Sequence, residues 1–472
     1  DIGSSGEGIG HFEGMTYFVN GAIPGDIVRA GITKLKKTYG YARVIEIESP
    51  SEDRVEPVCP VAGRCGGCQI MQMDYEAQLG WKASSVREKL SRIGGFSDEK
   101  LDEMMKPIIG MEVPYQFRNK AQYPVGSDRD GNTIMGFFAG HSHRIVTSEK
   151  CYLGGGINEM IRGAVTGCDE VVPYNEETHK GLLRHVMVRA SYHYEDVMVV
   201  LVVNASGMTR DVREMTEALV PRLSGLSYND DSEVGFGVSR VLSIVVNYND
   251  RPGNVIMGEK CETVYGETYL RDRIGEVEFC VSALSFFQVN PRQTKKLYDK
   301  ALEYAALTGR ETVWDLYCGI GTISLYMARN AALVYGVEVI EDAISDARRN
   351  AKSNGFNNAF FAVGDAGKVE VKDEWSEMPD AEGRLGLPRP DVIVVDPPRK
   401  GCDEKLIATI LKARPDRIVY VSCDPATLAR DLKLLCADGY DLAAVTPVDQ
   451  FGHSVHCETV CFLSKNYNIN YR

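Results

Sequence analysis

From about residue 285 the chain repeats one pattern: short β-branched apolar runs, each followed by a stretch of helical composition. The runs at 312–317, 332–339, 358–364, 391–396, 417–423, 441–447 and 457–463 predict seven strands, with helices between them as at 322–330 and 341–353. Such alternation predicts a doubly wound α/β sheet, covered by helices on both faces, so its strands are apolar throughout. In open sheets of this class ligands bind at the carboxyl ends of the strands. The residues at those ends therefore carry the functional information. An acidic, proline-containing stretch at 371–390 interrupts the alternation and predicts a surface loop.

Acids stand at four successive strand ends: Asp315, Glu338, Asp365 and Asp396. One such acid is ordinarily a helix cap or a solvated loop end. Four in succession favour a nucleoside ligand, with Glu338 placed to accept hydrogen bonds from ribose hydroxyls. Gly319 and Gly321, in Asp315-Leu-Tyr-Cys-Gly-Ile-Gly-Thr322, allow close backbone approach to a ligand. A dinucleotide fingerprint would place a third glycine at Ser324, so this loop alone is a weak signal. In Asp396-Pro-Pro-Arg-Lys-Gly401 the prolines end strand pairing and stiffen the rim. Cys423 stands where the fifth run stops, and His456-Cys-Glu458 opens the seventh. A nucleophile with a nearby acid or base is the minimum kit for covalent catalysis; the plain alternative is a small buried cysteine. Cys318, Cys402 and Cys457 compete for the role, although on a strand Cys457 points away from the face that bears Glu458.

At 472 residues the chain exceeds one core. Residues 1–50 alternate with many glycines and predict a small antiparallel barrel; 51–270 read as an α+β domain, with a helix over 74–93 capped by Asp74; 271–472 form the α/β domain. The net charge of −13 argues against a generally basic nucleic-acid coat but permits a local basic field, as in the acid-free stretch holding Arg29, Lys34, Lys36, Lys37 and Arg43. Thirteen cysteines, without a secretory signal or a membrane-spanning run, point to a reducing cytoplasm. The chain starts at Asp1, so a natural start is expected upstream of it. Cys59, Cys65 and Cys68 form a tight triplet, and Cys151 is the next cysteine along. Four thiolates suit either zinc or an iron–sulfur cluster.

Five ordered motifs sharpen this reading: Ser285-Phe-Phe-Gln-Val-Asn290, Asp315–Gly321, Asp396–Gly401, Ser422-Cys-Asp-Pro425 and His456-Cys-Glu458. Together they resemble the RNA uridine C5-methyltransferase family, on an S-adenosylmethionine-dependent methyltransferase sheet. The resemblance implies that Gln288, Tyr317, Glu338, Asp365 and Asp396 contact S-adenosylmethionine. It also implies that Cys423 attacks uracil C6 and that Glu458 removes the C5 proton. Thr322 stands where some relatives carry asparagine. The first 50 residues resemble the TRAM domain, an OB-like RNA-binding module. The cysteine triplet with Cys151, and the stretches Phe117–Gln122 and Gly136–His143, resemble the branch carrying a [4Fe–4S] cluster. That combination implies 23S ribosomal RNA as substrate, with a tRNA T-loop uridine as the alternative. A stacked base is out of reach, so the uridine is expected in a loop or flipped out, with Arg118, Lys120, Arg184 and Arg189 as RNA contacts or structural ion pairs. A monomer is expected. Two rivals are an amino-group methyltransferase using Asp-Pro-Pro, against which Arg399 speaks, and a non-catalytic RNA-binding protein, against which the pair Cys423 and Glu458 speaks.

Overall fold

The computed structural model describes residues 1–140, 142–229 and 237–466. His141, within the Gly136–His143 stretch, thus lies outside the described residues. The chain divides into two compact units. The first comprises Asp1–Leu79, Glu112–Leu270 and Phe451–Val455; the second comprises Gly80–Met111, Arg271–Gln450 and the chain from His456.

The first unit opens with strands Gly8–Phe12, Met15–Asn20, Ile27–Leu35 and Tyr39–Ser49. Their order is first, second, fourth, third, and the second and fourth run parallel. The expected all-antiparallel pairing is thus corrected to a mixed sheet. Alternation identifies strands but not partners. Beyond this sheet lies a larger one, in the order Ser227–Asn229, Val238–Tyr248, Asp196–Val203, Leu183–Ala190, Lys120–Ser127, Thr133–Met135, with Lys260–Gly266 pairing on Val238–Tyr248. Its two middle strands are buried along their whole length, and on one face helices Ile157–Thr166 and Arg210–Ser224 pack Ile161, Val165, Met215 and Leu219 with Val186, Val188, Val199 and Leu201.

The second unit carries the seven expected strands: β1 Thr312–Leu316, β2 Leu333–Glu338, β3 Ala359–Val363, β4 Val392–Val395, β5 Arg417–Ser422, β6 Tyr440–Val448 and β7 Glu458–Lys465. Their order is β3-β2-β1-β4-β5-β7-β6; only β7 runs antiparallel to its neighbours. The helices are α1 Pro291–Ala305, α2 Thr322–Ala328, α3 Glu341–Ser353, α4 Glu404–Ala413 and α5 Pro425–Ala437. Period-two alternation sorts the sheet into two apolar faces. Val313, Val334, Val394, Val421 and Val460 pack with α1, α2 and α3. Trp314, Val337, Val395, Tyr420 and Cys461 pack with α4 and α5. The early helix runs over Tyr75–Lys89 and continues as one wider turn, Leu90–Gly94. Asp74 accepts from the Glu76 N–H at 3.0 Å, and left-handed Gly95 (φ 76°) ends the turn. Val86 and Leu90 join the core beneath α4 and α5. The 371–390 stretch is not wholly a surface loop: Leu385–Leu387 pairs with Val369–Val371 and is fully buried, and Trp375 packs on Tyr335 at 5.2 Å. The apolar Leu385-Gly-Leu387 run outweighs its acidic flanks.

Candidate active site

Parity along the strands decides where the chemistry lies. Asp315, Glu338, Asp396, Cys423 and Glu458 share the parity of the five valines that face α1, α2 and α3. These five side chains therefore turn to one face at one edge of the sheet. Leu316 pairs with Val337 and with Val395, so the next residues, Tyr317, Glu338 and Asp396, stand side by side. Ser422 pairs with Thr459, so the antiparallel register sets Cys423 opposite Glu458. The order of residues in the chain gives no hint of that pairing.

Tyr317 takes a left-handed backbone (φ 87°), strained for a non-glycine residue, and its N–H bonds the Val337 carbonyl at 3.0 Å. Strain of this kind persists only where neighbours over-determine it, and it gathers at ligand sites. Gly321 (φ 83°) then leads into α2. Ser324, at the position of the missing third glycine, is fully buried and donates to Asp315. A polar anchor replaces the close backbone contact. The hydroxyl of Thr322 meets that of buried Tyr298 at 2.9 Å. Glu338 is oriented by the N–H groups of Val339 and Ile340, which donate to its Oε1 at 2.8 and 3.2 Å. Asp365 is exposed and caps the turn at Gly367. Gln288 is buried, with the Gln450 amide donating to its Oε1 at 3.5 Å.

The electrostatics are those of crowded carboxyls. Burial, with Glu338 adding to it and Ser324 opposing it, pushes Asp315 up to about 7. Burial and Asp315 push Asp396 up; burial and Asp396 push Glu458 up, against Arg399. Buried Oδ1 of Asp315 and Oε2 of Glu458 have no hydrogen-bond partner. Such oxygens favour the arrival of a cation or a proton. The Cys423 thiol is pushed up to about 12 by burial, then by Glu458 and Asp396, while Arg399 pulls the other way. The sequence did not disclose Arg399 as the cation beside the thiol; its Nη2 also lies 3.3 Å from His456 Nε2. Cys423 precedes Asp424, which caps α5 through the Ala426 and Thr427 N–H groups at 2.9 Å, so the thiol stands near a helix N-terminus. Cys318, Cys402 and Cys457 are buried in core clusters, whereas Cys423 is half-buried.

In the first unit Cys59, Cys65, Cys68 and Cys151 line one cavity of about 250 Å³ together with Arg118. Among the described residues no group of three or more His, Cys, Asp or Glu side chains is arranged to hold a metal ion. The thiols surround a volume instead, several times the roughly 30 Å³ that one water occupies. Burial pushes Cys65, Cys68 and Cys151 up; Cys59 and Cys151 add to this at Cys65 and Cys68, and Glu159 adds to it at Cys151, while Arg118 opposes it at Cys68 and Cys151. The Gly67 N–H donates to Cys65 Sγ at 3.4 Å.

Two of the basic residues expected at the RNA prove buried. Arg184 is 2% exposed, donates to the carbonyls of Asn249 and Arg251 at 2.9 and 2.8 Å, and lies over the Tyr174 ring at 4.6 Å. It is a structural tie. Arg189 is likewise 2% exposed. Burial, with Arg189 and Arg118, pushes Lys120 down to about 8. The N-terminal basic stretch is exposed, and Phe18, Tyr39 and Tyr41 cluster on that sheet with ring centroids 5.6–5.8 Å apart.

Comparison with known proteins gives concordant results. The family model described as tRNA (Uracil-5-)-methyltransferase matches residues 266–466, and that of the TRAM domain matches residues 1–45. A protein of Halalkalibacterium halodurans described as an uncharacterized RNA methyltransferase is 45% identical over 98% of this chain and 95% of its own length. A like-named protein of Clostridium acetobutylicum is 42% identical over the same shares. Among solved structures, the Pyrococcus abyssi tRNA (uracil-54, C5)-methyltransferase in complex with S-adenosyl-L-homocysteine aligns with a TM-score of 0.70 and 26% identity, covering 98% of each chain.

Proposed function

The chain belongs to the RNA uracil-C5-methyltransferase family, and from that premise we propose that it methylates a uridine of 23S ribosomal RNA, with Cys423 as nucleophile and Glu458 as base. The observation that carries the roles is the strand register that sets Cys423 opposite Glu458, whose Oε2 is buried without a partner. S-adenosylmethionine, when bound, supplies an electrophilic methyl on a sulfonium. The residues suited to hold it are Gln288, Tyr317, Glu338, Asp365 and Asp396. The orphaned oxygen of Asp315 and the crowded carboxyls fit a cationic ligand. The Cys423 thiol gives its proton to solvent and its sulfur adds to uracil C6; the C5=C6 π electrons move onto C5, which would take the methyl as the sulfonium's S–C bonding pair stays with a neutral thioether. The Glu458 carboxylate then removes the C5 proton, the electrons re-form C5=C6, and the thiolate leaves. The proton remains on Glu458 until solvent takes it.

For the RNA, the reading rests on the TRAM match together with the cysteine cavity in one chain. Lys34, Lys36, Lys37 and Arg43, beside the Phe18–Tyr39–Tyr41 cluster, suit backbone and base contacts. A second reading, a tRNA T-loop uridine, is favoured by the full-length likeness to the Pyrococcus enzyme. Incubation with S-adenosylmethionine and either RNA, followed by nucleoside mass spectrometry, separates the two. Absence of 5-methyluridine from both would overturn the reaction.

We further propose that Cys59, Cys65, Cys68 and Cys151 hold a [4Fe–4S] cluster. Four thiols around one cavity, with a cation and an N–H donor, suit a multi-atom group. Its role is to hold the fold of this unit; the methyl transfer needs no electron. Protein purified without oxygen is expected to contain iron and acid-labile sulfide, both lost in Cys68→Ala. A zinc content of one per chain would refute the cluster.

The buried carboxyls predict a pH effect. An acid whose folded pKa is raised takes up a proton on folding, so it costs stability as pH rises. For Asp315 that window runs from its ordinary 3.8 to about 7. A sulfonium offsets the cost and a thioether does not. The thermal shift given by S-adenosylmethionine should therefore exceed that given by S-adenosylhomocysteine, and the gap should widen from about pH 6 to about pH 8. Equal shifts across that range would remove the sulfonium from the carboxyl cluster.

A further inference from the structure

Asp431 lies in the second turn of α5 with its side chain wholly buried, although a helix on this face needs only apolar residues. Burying a carboxylate is costly unless its oxygens are used. Here they are. Oδ2 accepts from the Tyr420 hydroxyl at 2.7 Å and from the Cys402 N–H at 2.8 Å; Oδ1 accepts from Arg430 Nε at 2.8 Å. Arg430 in turn donates to the carbonyls of Lys400 and Cys402 at 2.9 and 3.0 Å, and the Thr427 hydroxyl donates to that of Arg399 at 3.1 Å. The rim loop is thus tied at residues 399, 400 and 402 to the first two turns of one helix. At Gly401 (φ 75°) the backbone lies so close that a Cβ would come within 2.5 Å of Asp431 Oδ2 and 2.6 Å of Arg430 Nη2.

That helix starts two residues after Cys423, and the loop carries Asp396 and Arg399. We propose that Asp431 is a positioning residue of the methyl-transfer reaction, stapling the 399–402 stretch of the rim loop to α5 and so fixing Arg399 against the Cys423 thiol. The inference rests on the reading of Cys423 as nucleophile. The charged groups facing that thiol are Glu458 from β7, Asp396 and Arg399 from the rim loop, and Asp424 beside it; Arg399 alone favours the thiolate. Charge effects fall with distance, and a shift of about 1 Å at a reacting group can cost on the order of 100-fold.

The test compares the parent, Asp431→Asn, Thr427→Val and Cys423→Ala, with the full chain in each case. Three quantities are read. The first is the rate of covalent adduct formation with 5-fluorouridine-substituted RNA and S-adenosylmethionine. The second is the pH midpoint of Cys423 alkylation by iodoacetamide, followed on its peptide by mass spectrometry. The third is the affinity for S-adenosylhomocysteine. Asp431→Asn is expected to slow adduct formation by about tenfold or more and to raise the alkylation midpoint, with cofactor-product affinity held within about twofold. Thr427→Val, which removes the hydroxyl shared between the Arg399 carbonyl and Asp424 and leaves the Asp431 ties in place, is expected to move both in the same direction by less. Parent-like adduct rates and midpoints in both variants would overturn the proposal, as would a loss of affinity in proportion to the loss of rate. An adduct that persists in Cys423→Ala would overturn the nucleophile instead, so the two failures are distinguishable.

Discussion

Replacing Cys423 by alanine is expected to abolish 5-methyluridine formation, a loss of at least about 10⁴-fold, while S-adenosylhomocysteine binding stays near the parent's. Uracil C5 is too weak a nucleophile to take a methyl unless charge is first pushed onto it through C6. No neighbouring thiol can substitute. Cys457 lies on the opposite parity, with its Sγ directed to the Val448 carbonyl, and Cys318 and Cys402 are packed in the core. The same variant should form no covalent complex with 5-fluorouridine RNA. Nucleoside mass spectrometry and a denaturing gel decide the matter: parent-like 5-methyluridine would show that the reaction does not pass through this thiol.

Glu458→Gln should fail later in the cycle. Its thiol still adds and C5 still takes the methyl, but the C5 proton has no acceptor. Loss of a general base typically costs about 10²–10⁴-fold in turnover. A methylated protein–RNA complex should therefore accumulate on ordinary uridine RNA and survive denaturation. The parent's resolution step should quicken as pH rises through the raised pKa of Glu458, because only the carboxylate accepts a proton. The glutamine variant should lose that limb. Turnover without a trapped complex would assign the base to another group.

Much of the site was legible in the amino-acid sequence. Apolar runs ending in Asp315, Glu338, Asp396 and Cys423 located four strand ends, because a strand buried on both faces has little choice but to be apolar and its end is where polarity returns. The grouping of Cys59, Cys65 and Cys68 around one cavity was legible from spacing for a similar reason: a turn through Gly66-Gly67 brings Cys65 and Cys68 together locally. Other features were not. Arg184 looks like an RNA contact in a sequence, yet three carbonyls from residues 249, 251 and 253 claim it. The N-terminal strands alternate as an antiparallel set would, yet the second and fourth pair in parallel.

The division has a physical cause. Local rules, meaning period-two burial, turn-forming glycines and strand-stopping prolines, act over a few residues, and they sufficed to determine the strands, the helices and the thiol at a strand end. Whether Cys423 faces an acid depends on β7 returning antiparallel beside β5 in one register, with Ser422 against Thr459. A slip of one residue would turn Glu458 to the other face. Likewise Arg399 and Asp431 are ordinary charged residues in the chain, 32 positions apart. Only the packing of α5 against the rim loop makes one the cation beside the thiol and the other the staple that keeps it there.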